Sequence, residues 1–170
     1  METKNFTSKA YFRSLRIIHF ALIFGLLLFA AIVIFLYASG SLEKDDSITD
    51  VMLIVVGIMA LFGFFGNRII FKSKLKSAKN MSELSDKMNG YRSAFVTRLA
   101  IIEGPALFSI IGYQVTGSIY FLGFTGLLIA AFLANKPSIQ KACEDLELNH
   151  EDSQKLNDPN AIIAEIKLIH

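Results

Sequence analysis

Apolar residues in this chain fall into long blocks separated by short polar stretches. A bilayer-crossing helix needs about 20 largely apolar residues. Four blocks approach that length: about Ile17 to Tyr37, Ile48 to Phe71, Ser93 to Val115 and Ile119 to Ala134. None alternates polar and apolar positions as a half-buried strand would, so each reads as a membrane helix. The apolar core of the first exceeds the about 7–15 residues of a signal-peptide core, so it reads as a retained helix. Ser138 to Leu146 mixes charged and apolar residues and predicts a short helix. Asn149 followed by Asp152 predicts a helix start. Asp158-Pro159 predicts the cap and first position of a last helix, with Ile162, Ile163, Ile166 and Ile169 on one face. Between the second and third blocks, Met81, Leu84 and Met88 stand at helical spacing.

The predicted fold is all-α, an integral-membrane four-helix bundle. Residues 1–137 form the four-span domain and residues 138–170 a helical cytoplasmic tail. Composition agrees: hydrophobic residues are 53% and charged residues 19%, with a mean hydropathy of +0.48, against about a quarter charged in soluble domains.

Charge sets the expected topology. Lys4, Lys9, Arg13 and Arg16 precede the first block. Arg68, Lys72, Lys74, Lys76, Lys79, Lys87 and Arg92 connect the second and third, and Lys136 and Lys141 follow the fourth. The other two connections hold one lysine, Lys44, among Glu43, Asp45, Asp46 and Asp50. The positive-inside rule places both termini and the basic connection in the cytoplasm, with the chain in the bacterial inner membrane. Topogenesis accounts for these basic residues without a nucleic-acid partner. With no Trp in the chain, Tyr37, Tyr91, Tyr113 and Tyr120 are the expected interfacial anchors.

The two halves resemble one another. Arg13-Ser14 aligns with Arg92-Ser93, Ala21 with Ala100, Ile23 with Ile102, Gly25 with Gly104 and Leu28-Phe29 with Leu107-Phe108. With small shifts, Gly40-Ser41 meets Gly117-Ser118 and Asn67-Arg68 meets Asn135-Lys136. Two tandem helical hairpins result, related as a parallel repeat.

Glu103 breaks the third block near its middle, where its counterpart in the first copy is Phe24. A carboxylate there is expensive unless paired, protonated or facing a polar cavity. Arg98 lies about 7.5 Å along the helix axis toward the cytoplasm. Pro105 removes an amide donor and frees a carbonyl near Ile101. Glu103, Ser109 and that carbonyl are expected to form a small polar pocket, with Arg98 as the nearby cation. Ala21 and Gly25, Ala100 and Gly104, and Gly126, Ala130 and Ala134 are small residues four apart, the pattern that lets membrane helices pack closely.

No metal-ligand spacing, phosphate-binding glycine loop or nucleophile elbow is present. Cys143 is the only cysteine and cannot form an internal disulfide. His19 has no second histidine at matching depth to hold a haem. No cofactor is expected. The string Ala100-Ile101-Ile102-Glu103-Gly104-Pro105-Ala106 resembles the ion-carrying helix of ATP synthase subunit c. That resemblance covers one helix and its preceding loop, and implies a proton or ion on Glu103. More broadly, YFRSLRIIHFAL, YRSAFVTRLAIIEGPALFSII and DLELNHEDSQKLNDPNAII are similar to a family of small bacterial four-helix membrane proteins of unassigned function. The expectation is a non-enzymatic accessory or structural subunit of a membrane complex, with other membrane subunits, a second copy or lipid as partners. The alternative is a proton- or ion-translocating subunit using Glu103.

Overall fold

The computed structural model describes residues 3–167. Strand β1 (Thr3–Thr7) leads into helix α1 (Ser8–Ala38). Helix α2 (Thr49–Leu61), a π-turn (Phe62–Gly66) and α3 (Asn67–Lys79) run on without a break. Then come α4 (Leu84–Thr116), α5 (Ile119–Ala134), α6 (Ile139–Leu146), α7 (His150–Asn157) and strand β2 (Ile162–Lys167).

The protein is mostly helical, and among the described residues three helical segments are long and apolar enough to cross a membrane: Ser8–Ala38, Asp46–Lys79 and Leu84–Thr116. The fourth expected span is shorter. The 16 residues of α5 cover about 24 Å, less than the about 30 Å of a hydrocarbon core. Together with α6 it is apolar and long enough only as a pair of helices bent by 81°.

The chain folds into two compact units that cut across the expected division at residue 137. One comprises the residues up to 19, 69–97 and those from 136 onward, and the other 20–68 and 98–135. Every lysine and arginine except Lys44, Arg68 and Arg98 belongs to the first.

In the first unit, the polar connection before the third block is almost entirely helical. Helix α3 continues to Lys79 and α4 already begins at Leu84. Gly90 lets these helices close on one another, since a methyl there would lie 2.6 Å from the Ala78 side chain. Tyr11, Met88, Tyr91, Phe95, Leu146 and Leu156 are among its buried residues. Tyr91 is thus a core residue rather than an interfacial anchor. Tyr11, buried in the same unit, donates a 2.6 Å hydrogen bond from its hydroxyl to the Met88 carbonyl. The expected short helices form with their caps. Ser138 accepts from the Lys141 amide at 3.2 Å, and Asn149 from the Asp152 amide at 2.7 Å.

The last expected helix does not form, and the fold is therefore not purely α-helical. Asp158 starts a turn instead. Its carbonyl accepts from the Ala161 amide at 3.2 Å, and its side chain from the Asn160 amide at 2.9 Å. Asp followed by Pro suits the first two positions of such a turn as well as a helix start. The β-branched run that follows becomes β2, antiparallel to β1, with Lys4 opposite Ile166 and Phe6 opposite Ala164. Thr7 pairs with Ile162, so Ile163 is an extra residue in a bulge. Ile163 and Ala164 are buried while Ile162 is exposed. Ile169 and His170 lie outside the described residues. Two bonds fasten the strand to α4: the Asn89 side chain donates to the Glu165 carbonyl, and the Glu165 amide donates to Ser85 Oγ, each at 2.9 Å.

In the second unit, α4 and α5 form a tight hairpin. Gly117 turns the corner with φ +68°, and Ser109 Oγ donates to the Phe121 carbonyl at 2.6 Å. Gly112 faces the Phe121 ring, which a methyl at that position would approach to 2.5 Å. The Asp45 amide donates to the Val115 carbonyl at 3.0 Å, tying the loop before α2 to the end of α4.

Candidate polar site on the fourth helix

Pro105 sits inside α4 and leaves the Ile101 carbonyl without its usual amide donor. The structure fills that gap with glycine. A methyl on Gly63 would lie 3.1 Å from Pro105 Cγ and 3.3 Å from the Ile101 oxygen. Gly63 belongs to the π-turn Phe62–Gly66, so a widened turn in one helix meets the proline of another. Such turns recur at functional sites.

The wide turn frees carbonyls of its own, and Asn67 takes them up. Its Nδ2 donates to the Gly63 carbonyl and, at 2.9 Å, to the Phe64 carbonyl. Its Oδ1 accepts from Arg98 Nε at 3.2 Å. Asn67 is buried, so each bond compensates for lost hydration. Asn135 makes the equivalent local bond, donating to the Ala131 carbonyl at 2.7 Å. Asn67→Leu is expected to destabilise the protein by about 1–3 kcal/mol, because two carbonyls lose their donor and Arg98 loses one of its contacts. Asn67→Gln should recover little of that loss, since the longer side chain cannot repeat both short bonds. Unfolding in mild detergent measures both variants, and an Asn67→Leu protein as stable as the parent would remove the network from the account.

The residues expected to form one pocket are placed apart. The Ser109 hydroxyl is buried and committed to Phe121. The freed Ile101 carbonyl faces Gly63. Arg98 reaches Asn67 rather than Glu103. The reason is angular: six residues of α-helix separate Ser109 from Glu103 by about two-thirds of a turn, on different faces. Glu103 itself is half-buried and makes no hydrogen bond or ion pair with another described residue. It lies on the outer side of α4, between the exposed residues Val96, Ala100 and Gly104 on that helix and the exposed Ile111 beyond.

The small-residue stripes also point outward. Ala21, Gly25, Ala100, Gly104, Gly126, Ala130 and Ala134 are all exposed. Methyl groups built on Gly25, Gly104 and Gly126 meet nothing within 4 Å. The close approaches inside the chain use Gly63, Gly90, Gly112 and Gly117 instead. Spacing marks a flat stripe on a helix but not the partner it faces. Asn67 and the π-turn were missed as site features. Their sequence signal is Gly63 and Gly66 flanking two phenylalanines just before an asparagine. Among the described residues, no three His, Cys, Asp or Glu side chains gather as metal ligands.

No family model, curated protein or solved structure matches the chain.

Proposed function

We propose that this is a four-span inner-membrane protein acting as a non-enzymatic accessory or structural subunit of a larger membrane complex. The observation that supports it most is the outward placement of all seven small stripe residues. In lipid, such stripes drive helix association by letting backbones approach. In this chain Gly25, Gly104 and Gly126 face open space, on surfaces suited to helices of other subunits or of a second copy.

Two observations support four spans with both termini in the cytoplasm. The pairing of β1 with β2 joins the segments that flank the helices, in keeping with an even number of crossings. With three long segments, α5 is the candidate for the fourth. The first compact unit also gathers the N-terminal, connecting and C-terminal basic segments into one body, as the positive-inside rule demands. Reporter fusions should give cytoplasmic signal at Lys76 and at the C-terminus, and extracytoplasmic signal near Asp46. A cytoplasmic Asp46 overturns the topology.

The tandem-hairpin repeat has support from burial. Phe12 and Tyr91, Leu15 and Ala94, Ile23 and Ile102, Ala30 and Ser109, and Val33 and Gly112 occupy equivalent positions and are all buried. Ala21 with Ala100 and Gly25 with Gly104 are equivalent and exposed.

Purification in mild detergent tests the assembly reading. Partner subunits or a defined oligomer should accompany the protein, and a clean monomer counts against it. A second reading, proton or ion transfer by Glu103, draws on the open outer face around that carboxyl. A carboxyl on an outward face is accessible to a neighbouring subunit, as the resemblance to the subunit c helix implies.

A further inference from the structure

A groove of about 240 Å³ opens in the second compact unit. Gly57, Ala60, Phe64 and Phe65 form one wall and Phe124 and Leu127 of α5 the other. The small side chains of Gly57 and Ala60 make room, and the π-turn presents Phe64 and Phe65, whose rings meet edge to face at 5.3 Å. Phe65 and Leu127 are largely exposed, so the groove opens sideways. From Gly57 to Phe65 it runs about 12 Å along the helix, close to the about 15 Å of hydrocarbon in one leaflet.

A positive charge stands at one end. The Arg68 guanidinium lies over the Phe64 ring, 5.5 Å from its centre. Arg68 is exposed, and no carboxylate of the described residues pairs with it. It follows Phe65 by three residues, about 4.5 Å farther along the helix, at the depth where a headgroup would begin. Guanidinium binds phosphate oxygens in a fork geometry. An apolar slot one leaflet long, ending in an uncompensated arginine, matches a lipid with an anionic headgroup.

We propose that this groove binds one acyl chain of an anionic phospholipid, with Arg68 holding the headgroup phosphate. The proposal rests on the membrane-spanning reading above. The chain has no Trp, so Phe65→Trp places its one tryptophan in the groove, read by excitation at the red edge where tyrosine does not absorb. The full-length variant is reconstituted into vesicles with increasing fractions of phosphatidylglycerol or phosphatidylcholine brominated along the acyl chain. Half-maximal quenching is expected at an about five-fold lower fraction of the phosphatidylglycerol, the preference one arginine near a membrane surface supplies. Adding Arg68→Gln should merge the two curves while leaving quenching itself intact. Equal curves for the two lipids overturn the site, because lipid then only brushes past. Selectivity that survives Arg68→Gln overturns the role of the arginine. No quenching by either lipid, with the protein still resisting alkaline extraction from the vesicles, means that protein covers the groove and overturns the lipid proposal alone. Release of the protein by alkaline extraction overturns the membrane reading with it.

Discussion

Gly117→Ala is expected to destabilise the protein by about 2–5 kcal/mol. Two independent costs contribute. Gly117 has φ +68°, and an L-residue in that region costs about 1–2 kcal/mol. A methyl would also lie 1.9 Å from the Tyr37 hydroxyl oxygen and 2.4 Å from Tyr37 Cζ. The ring would have to move, and overpacking of this kind costs about 1–3 kcal/mol. Tyr37 also packs against Tyr113, with ring centres 5.2 Å apart, so it has little freedom to retreat. A double-mutant cycle separates the terms. In a Tyr37→Ala background, Gly117→Ala should cost only the backbone part, about 1–2 kcal/mol. Denaturant unfolding in detergent reads both values. Equal costs in the two backgrounds would show that the tyrosine does not oppose the methyl.

The second large effect concerns Glu103. Glu103→Gln keeps the shape and hydrogen-bonding capacity of a neutral acid but removes the exchangeable proton. Glu103→Leu removes both. If the outward face of α4 docks a neighbouring helix through a hydrogen bond at Glu103, Gln should retain the complex. Leu should then weaken it by about 1–2 kcal/mol, a roughly ten-fold loss of association. If Glu103 carries protons, Gln should assemble normally yet abolish proton uptake in reconstituted vesicles. Carbodiimide labelling that declines as pH rises would support the second case. An unlabelled Glu103 together with a fully active Gln variant would eliminate it. Because no described side chain of the chain itself bonds to Glu103, Leu should leave the monomer folded. The two readings therefore differ in assembly and transfer rather than in stability.

The amino-acid sequence by itself determined whatever depends on near neighbours. Long apolar blocks dictate helices, because no other local structure satisfies so many backbone groups without water. Ser138 and Asn149 cap their helices as their positions require. Segregation of lysine and arginine into three stretches is a property of the linear chain. Glu103 and Pro105 were legible for the same reason: each is an exception within its own helix.

Tertiary structure alone decided the rest. Asp158-Pro159 is compatible with a turn or a helix start, and only a β1 strand more than 150 residues away converts the following isoleucines into β2. Small-residue spacing is identical for stripes that pack inside a chain and stripes that face outward. The distinction appears only when Gly63 is seen against Pro105 and Gly104 against open space. Likewise, nothing local announces that Asn67 will join two carbonyls to Arg98 across 31 positions of sequence. Periodicity and propensity encode what a residue prefers among its neighbours in sequence. Which groups meet across the fold depends on how the helices come together.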